Sequence, residues 1–279
     1  MAEEIGHISA GVGQVVIAGS QGILQKYPYI QGQILPPDDP DFITKLDNPY
    51  GGVTSLCLDE SNNEGIIGTN KGNICYINFT DNIVIPIVSS VDSVMEPINH
   101  VLYDNNVLTS KVLLSSCGTS NGNMKMYTVS TSDQVCDFKE PELGPIAFML
   151  NIPHGAGNNK RKFKLIGHKE GHLKLIDTEK LGCDSIYKVA LEIGEQITCG
   201  AYSPCGKNIA IGTSYGSIFI CQHRASNLRA SMGASGFCAY RIDRISKTTD
   251  NAVTSIAMSK FTPEGTLLVA FDNGVVRTW

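Results

Sequence analysis

The stretch His168-Lys169-Glu170-Gly171-His172 carries two histidines four residues apart with a glutamate between them. On a helix that spacing puts both imidazoles on one face, where they can share a zinc ion. Here the flanks are apolar runs and Gly171 closes a tight polar turn between them, so the segment reads as a β-hairpin. Its histidines are expected to be exposed turn residues, and no metal is assigned. Gly11-Val12-Gly13 lacks the third glycine and the following helix of a dinucleotide site. No P-loop occurs, and the two Gly-x-Ser-x-Gly matches, at 118–122 and 212–216, fall in polar turns between apolar runs rather than between a strand and a helix, so neither reads as a nucleophile elbow. Cys199 and Cys205 have no histidine near them in sequence to activate a thiolate. The nine cysteines stand singly, with no Cys-x-x-Cys pair, and read as buried thiols of a reducing compartment. These residues supply no catalytic constellation and no cofactor cradle, and the chain is read as a non-enzyme without cofactors.

Charge offers binding rather than chemistry. Lys160, Arg161 and Lys162 lie in the basic run Asn159–Lys164 and could grip an acidic protein segment, with a strength that falls as salt rises. Pro36-Pro37-Asp38-Asp39-Pro40-Asp41 reads as an extended acidic connector. Residues 223–240 are rich in Ser, Ala and Gly, and their Arg-Ala-Ser tripeptides at 224–226 and 229–231 suit basic-directed kinases. The formal net charge of −5 argues against nucleic acid as a partner. No window approaches the eighteen or so consecutive apolar residues of a membrane span, and the acidic start Met1–Glu4 is unlike a signal peptide. A cytoplasmic location is expected.

The elements that position these residues come from a repeat. Aligned on the glycine that closes each polar turn, the chain holds six copies of one pattern, with hairpins near 15–29, 64–79, 112–129, 163–178, 208–223 and 266–279. The marker glycines Gly22, Gly72, Gly122, Gly171, Gly216 and Gly274 are 50, 50, 49, 45 and 58 residues apart. That period suits a four-stranded propeller blade. Glycine at the last turn position admits a positive φ. Four residues before each marker stands a small residue, Ala18, Gly68, Gly118, Gly167, Gly212 or Ala270, where a branched side chain would be usual in a strand. Such residues let neighbouring sheets approach closely. Strands such as Ile218–Cys221 are apolar throughout, as expected of sheets covered on both faces.

A further strand precedes most hairpins, at Val53–Leu58, Ile98–Leu102, Ile146–Leu150, Ile197–Tyr202 and Val253–Met258, in the place of an innermost strand. Outer strands are expected at Asn82–Val88, Gln134–Phe138, Ser185–Leu191 and Phe237–Ile245. The fold class is all-β, a β-propeller of four-stranded antiparallel blades forming a single domain over 1–279. The strand count is one short. Ile5–Ala10 can serve as the inner strand of the first blade or the outer strand of the last, so the ring closes imperfectly or the chain is part of a larger propeller.

The stretches "SPCGKNIAIGTSYGSI" at 203–218 and "FTPEGTLLVAFDNGVVRTW" at 261–279 resemble repeats of the WD-repeat β-propeller family, and the resemblance extends over essentially the whole chain. Departures from the family pattern are the absence of a Trp-Asp dipeptide, a strand-end tryptophan only at Trp279, and Gly167-His168 inside a hairpin. More narrowly, "GGVTSLCLDESNNEGIIGTNKGNICYINF" and "DNAVTSIAMSKFTPEGTLLVAFDNGVVRTW" look like repeats of cilia- and flagella-associated WD-repeat proteins. That resemblance implies a structural role on axonemal microtubules, with tubulin or axonemal proteins among several partners in a large complex. The competing class is a WD-repeat adaptor or substrate receptor in a ubiquitin ligase or trafficking coat; a propeller enzyme is a third class. Under the scaffold reading the docking residues are the turn side chains Asn70, Lys71, Asn121, Lys169, Glu170, Tyr215, Asp272 and Asn273 on one face. Lys160, Arg161 and Lys162 form a second, independent site on the other.

Overall fold

A computed structural model of the chain describes residues 5–11, 13–28, 40–46, 50–59, 61–89, 96–104, 112–117, 122–138, 141–151, 163–178, 182–204, 206, 208–223, 239–247, 251–258 and 266–279. Two compact units divide it, Met1–Pro141 and Glu142–Trp279. In the first unit, β1 (Ile5–Gly11), β2 (Gln14–Gly19), β3 (Ile23–Pro28) and β4 (Phe42–Lys45) form one antiparallel meander. The second sheet is β5 (Val53–Leu58), β6 (Glu64–Thr69), β7 (Ile74–Asn78) and β8 (Ile83–Val88). The third is β9 (Ile98–Asp104), β10 (Val112–Cys117), β11 (Met124–Thr128) and β12 (Gln134–Phe138).

The second unit repeats the plan. Its sheets are β13 (Ile146–Asn151), β14 (Phe163–His168), β15 (His172–Asp177) and β16 (Gly182–Lys188), then β17 (Ile197–Tyr202), β18 (Asn208–Thr213), β19 (Ser217–His223) and β20 (Ala239–Lys247). A sixth sheet has three strands, β21 (Val253–Met258), β22 (Leu267–Phe271) and β23 (Val276–Thr278). Among the described residues the only helical element is a 3-10 turn at Pro141–Leu143.

The hairpin reading rests on the turn glycines, and all six take positive φ, from 63° at Gly122 to 98° at Gly171. The expected inner strands are β5, β9, β13, β17 and β21. Outer strands follow near the expected places, β16 beginning and ending three residues before the segment read from sequence and β20 two residues after it. Ile5–Gly11 is now settled among the described strands: it pairs with β2 as the first strand of the first sheet.

Each inner strand carries a one-residue bulge directly after its first residue, so that Val53 pairs with Thr69 but Ser55 with Gly68, and Val253 pairs with Phe271 but Ser255 with Ala270. The bulge turns residue two sideways. In the second sheet the bulged Thr54 donates its hydroxyl to Ile98 O at 2.6 Å, and Ser55 donates to the same oxygen at 3.0 Å. In the fifth, Thr198 does the same to Val253 O at 2.5 Å. The first residue of one inner strand is thus clasped by the sheet before it.

The small residues make that clasp possible. A Cβ on Gly68 would lie 2.6 Å from Ile98 Cγ2, and one on Gly212 would overlap Val253. Apolar clusters accordingly span adjacent sheets, with Val16, Ala18, Val53 and Ile67 joining the first two, and Ala210, Ile218, Val253 and Val269 joining the last two. Strands buried on both faces must be apolar at nearly every position, which is why the runs do not alternate.

Candidate protein-docking surface

In the second unit the turn residues assemble around one loop, residues 189–196. Lys169 O accepts the amide of Ile197 at 2.8 Å, and Gly171 O accepts that of Val189 at 2.8 Å, so the fourth hairpin holds both ends of the loop. The fifth hairpin holds it from the other side. Ser214 N donates to Gln196 O at 2.8 Å, Gln196 N donates to Ser214 Oγ at 2.9 Å, and the Tyr215 hydroxyl donates to Ile193 O at 3.2 Å.

Beneath the loop, Glu195 is buried and accepts the Thr213 hydroxyl at 2.6 Å on one oxygen and the Glu192 amide at 2.9 Å on the other. Thr213 in turn accepts the Ser217 amide at 3.1 Å. Charge-assisted bonds of this kind fix the loop backbone. Gly194, at φ +81°, lies where a Cβ would come within 2.7 Å of the Tyr215 hydroxyl. What the braced loop presents is Ile193, 99% exposed at its apex. Beside it runs an open cleft of about 520 Å³ lined by Glu170, Lys188, Leu191, Glu192, Glu195 and Gln196. A rigid apolar tip beside a groove of mixed polar and apolar lining suits protein contact, because little ordering entropy is lost on docking.

Of the residues read from sequence, Lys169, Glu170 and Tyr215 are therefore brought together, with Lys169 half-buried and the other two exposed. Asp272 and Asn273 are exposed on the sixth hairpin, whose turn is pinned by Asp272 N to Ala252 O at 3.0 Å and Val275 N to Asn273 Oδ1 at 3.0 Å. Asn70 and Lys71 are exposed in the first unit; Asn70 Oδ1 accepts the Gly52 amide at 3.1 Å. Asn121, Lys160, Arg161 and Lys162 lie outside the described residues, as do Cys205 and residues 224–238. His168 departs from expectation. It is the last residue of β14, fully buried with Nδ1 2.8 Å from Gly144 O, and His172 is half-buried as the first residue of β15, because the turn itself takes up only residues 169–171. Sequence reasoning missed Glu192, Ile193 and Glu195. The available signal was the isoleucine of Leu191-Glu192-Ile193-Gly194-Glu195, an apolar residue set inside a polar, glycine-bearing turn.

Charge in the first unit serves to join sheets. The Glu64 carboxylate accepts the Tyr76 hydroxyl at 2.5 Å on its own sheet and the Tyr103 hydroxyl at 2.8 Å on the next. Burial, with that carboxylate bonded and charged beside it, pushes the Tyr76 phenol up to about 12 and Tyr103 higher still. Asn62, buried at φ 55°, donates to Ser9 O at 3.0 Å and Gln14 O at 3.3 Å, tying the first sheet to the second. Asp59 orders that same loop. Burial raises its carboxyl, but bonds from the Glu64, Asn63 and Ser61 amides and the Ser61 hydroxyl prevail and hold it below the usual range.

No family model matches the chain, and no curated protein matches it. Among solved structures, the crystal structure of the Cps50 (Swd1) β-propeller domain of Myceliophteria thermophila aligns with 100% of this chain and 84% of its own, at a TM-score of 0.72 and 9% sequence identity. The fold is a β-propeller. Its six sheets are the blades, and identity this low carries the architecture and nothing of the neighbour's partners.

Proposed function

We propose that this propeller is a non-catalytic scaffold of the WD-repeat type that docks other proteins through the turn face of its second unit. The observation that carries this reading is Ile193, held 99% exposed on a loop braced from both neighbouring hairpins by Lys169, Ser214 and Tyr215. An isolated exposed isoleucine is ordinary; one fixed by a buried Glu195–Thr213 network is an expensive arrangement with no packing return. Asp272 and Asn273 extend the proposed surface, Asn70, Lys71 and Asn121 are proposed docking residues of the first unit, and Lys160, Arg161 and Lys162 form the proposed second site. A single propeller domain over 1–279 is part of the reading.

The finer reading is a structural component of the ciliary or flagellar axoneme, with tubulin or axonemal proteins as partners; its support is the repeat texture at 51–79 and 250–279. Affinity capture from isolated axonemes and from cytosolic extract tests both levels. Recovery of axonemal proteins by the native chain, lost with Ile193→Asp and reduced with Tyr215→Ala, is the expected result. Equal recovery by native and variant chains removes the turn face from the proposal, and recovery of ligase or coat subunits alone removes the axoneme. Charge reversal at Lys160, Arg161 and Lys162 checks the second site, with binding at low salt as the readout.

A further inference from the structure

The cleft beside Ile193 has a definite charge. Its lining holds three carboxylates, Glu170, Glu192 and Glu195, against the single ammonium of Lys188, all on the second unit. Glu195 is buried, and its two oxygens are taken by the Thr213 hydroxyl and the Glu192 amide, so its charge contributes to the field without reaching a ligand. Glu170 and Glu192 are exposed. The Glu170 carboxyl carbon packs against Gly144, 3.2 Å from the point that a Cβ there would occupy, which limits where that charge can stand. Among the described residues neither Glu170 nor Lys188 has an ion pair or a side-chain hydrogen bond. Protein walls of low dielectric concentrate such a field, so the cleft draws a cation and repels an anion.

The rest of the lining is partly apolar, with Ala190 exposed and Leu191 half-buried. Carboxylates beside an apolar wall match one kind of side chain, a long basic one, whose methylene stem lies on apolar surface while its charged head stays at the polar edge. A volume of about 520 Å³ is ample for one such side chain and lies within the range of pockets that enclose small ligands. Gln196 is exposed, with its side-chain amide unbonded among the described residues, and offers both a donor and an acceptor to the backbone of an extended segment. Beside the cleft, Ile193 and the Tyr215 ring offer apolar area, 99% and 40% exposed and tied together by the bond from the Tyr215 hydroxyl to Ile193 O.

We propose, resting on the docking reading above, that this surface takes a basic segment of another protein: an arginine or lysine enters the cleft toward Glu170 and Glu192, and an apolar neighbour packs on Ile193. The occupant is basic by charge complementarity. A phosphorylated or acidic segment, or a nucleic-acid backbone, would set its own anions against three carboxylates. It is apolar beside the basic residue because a wholly charged segment would leave Ile193 in water. The charges then steer encounter and weaken with salt, while the apolar contact slows dissociation.

Fluorescence anisotropy with the full chain tests this, using short labelled peptides in which arginine, serine or glutamate alternates with leucine. The arginine peptide should bind most tightly, with an affinity that falls as salt rises, and the glutamate peptide least. Glu170→Gln combined with Glu192→Gln should weaken the arginine peptide about tenfold at low salt and leave the serine peptide unchanged. Glu170→Arg combined with Glu192→Arg should transfer the preference to the glutamate peptide. Both positions are exposed, so these variants are expected to fold, with circular dichroism and the thermal midpoint as checks. Glu96→Gln combined with Asp133→Asn removes as much charge from exposed positions of the first unit and should leave all three affinities unchanged. Ile193→Ser should weaken the arginine and serine peptides alike. If it does, but the three peptides bind equally or both neutralised pairs act equally, the basic occupant is overturned and the docking surface stands. A chain that binds none of the peptides also overturns the basic occupant, and leaves the docking reading to the capture experiment. Binding that Ile193→Ser leaves untouched overturns the docking reading, and the basic occupant with it.

Discussion

Glu64 is the residue whose removal separates a bridge between blades from a surface carboxylate. Its two oxygens accept hydroxyls from Tyr76 and Tyr103, whose rings lie 6.3 Å apart at 53° on adjacent sheets. A hydrogen bond to a charged group contributes about 1.5–3 kcal/mol. Tyr103 is buried and would lose its full bond in Glu64→Ala, whereas Tyr76 is half-buried and would recover part of its loss from water. The expected destabilisation is about 2–4 kcal/mol, or roughly 3–7 °C in Tm for a chain of this size. Glu64→Gln keeps shape and one acceptor and should cost about half as much.

Spectroscopy gives a second readout. The raised tyrosine pKa means that the folded state resists ionisation, so this contribution to stability is complete below an unfolded value near 10 and is lost as pH climbs through about 12 at Tyr76. In Glu64→Gln the tyrosinate absorbance should rise at lower pH, though burial keeps it above the ordinary range. Urea unfolding by tyrosine fluorescence and an alkaline titration of both variants would check this. Variants within about 0.5 kcal/mol of the native chain, with an unmoved tyrosinate titration, would refute the bridge.

Other consequences are simpler to measure. Gly274 has φ +79° and open space around it, while a Cβ on Gly171 would meet Val189 O at 2.9 Å; Gly274→Ala should cost about 1 kcal/mol of backbone strain and Gly171→Ala clearly more, by thermal unfolding. Equal costs would mean that the turn conformation alone matters. Burial pushes the Cys75 and Cys221 thiols up to about 12, so a thiol-specific disulfide reagent at mildly alkaline pH should leave both unmodified until the chain unfolds; prompt native-state labelling would contradict their placement. Burial lowers the His7 pKa, outweighing its bond to the Thr54 backbone. The unfolded chain therefore binds that proton first, and stability should decline as pH falls below about 6.5. His7→Gln should flatten that part of the profile of Tm against pH, and an unchanged slope would assign it elsewhere.

The repeat was legible because its constraints are backbone constraints. Gly72 or Gly216 must be glycine for the turn to close at positive φ, and Gly68 and Gly212 must lack a Cβ for Ile98 and Val253 to approach. Such demands act on single residues at fixed spacing, and spacing can be read without coordinates. The second strands of the blades were legible for a related reason, since burial on both faces leaves β18 apolar from Ile209 to Ile211 without polar alternation. The end of β14 was not legible. His168 looks polar and turn-like, and only the Gly144 carbonyl opposite its ring explains why it is buried.

The docking surface was legible only in part, and the reason bears on how a propeller acquires partners. Lys169, Glu170 and Tyr215 could be chosen because turn positions are fixed by the repeat, but Ile193 lies in a connection between blades, whose length the repeat leaves free. The loop is ordered by Glu195 and Thr213, two residues 18 apart in sequence that meet because one blade follows another. Blade packing thus does two separate things with polar groups. Thr54, Thr198 and Glu64 spend theirs on joining sheet to sheet, and Glu195 spends its own on shaping a surface. On that division, Glu195→Gln should lower the stability by only about 1–2 kcal/mol yet abolish partner capture as fully as Ile193→Asp. A variant that loses stability but keeps its partners would place Glu195 with the joining groups instead.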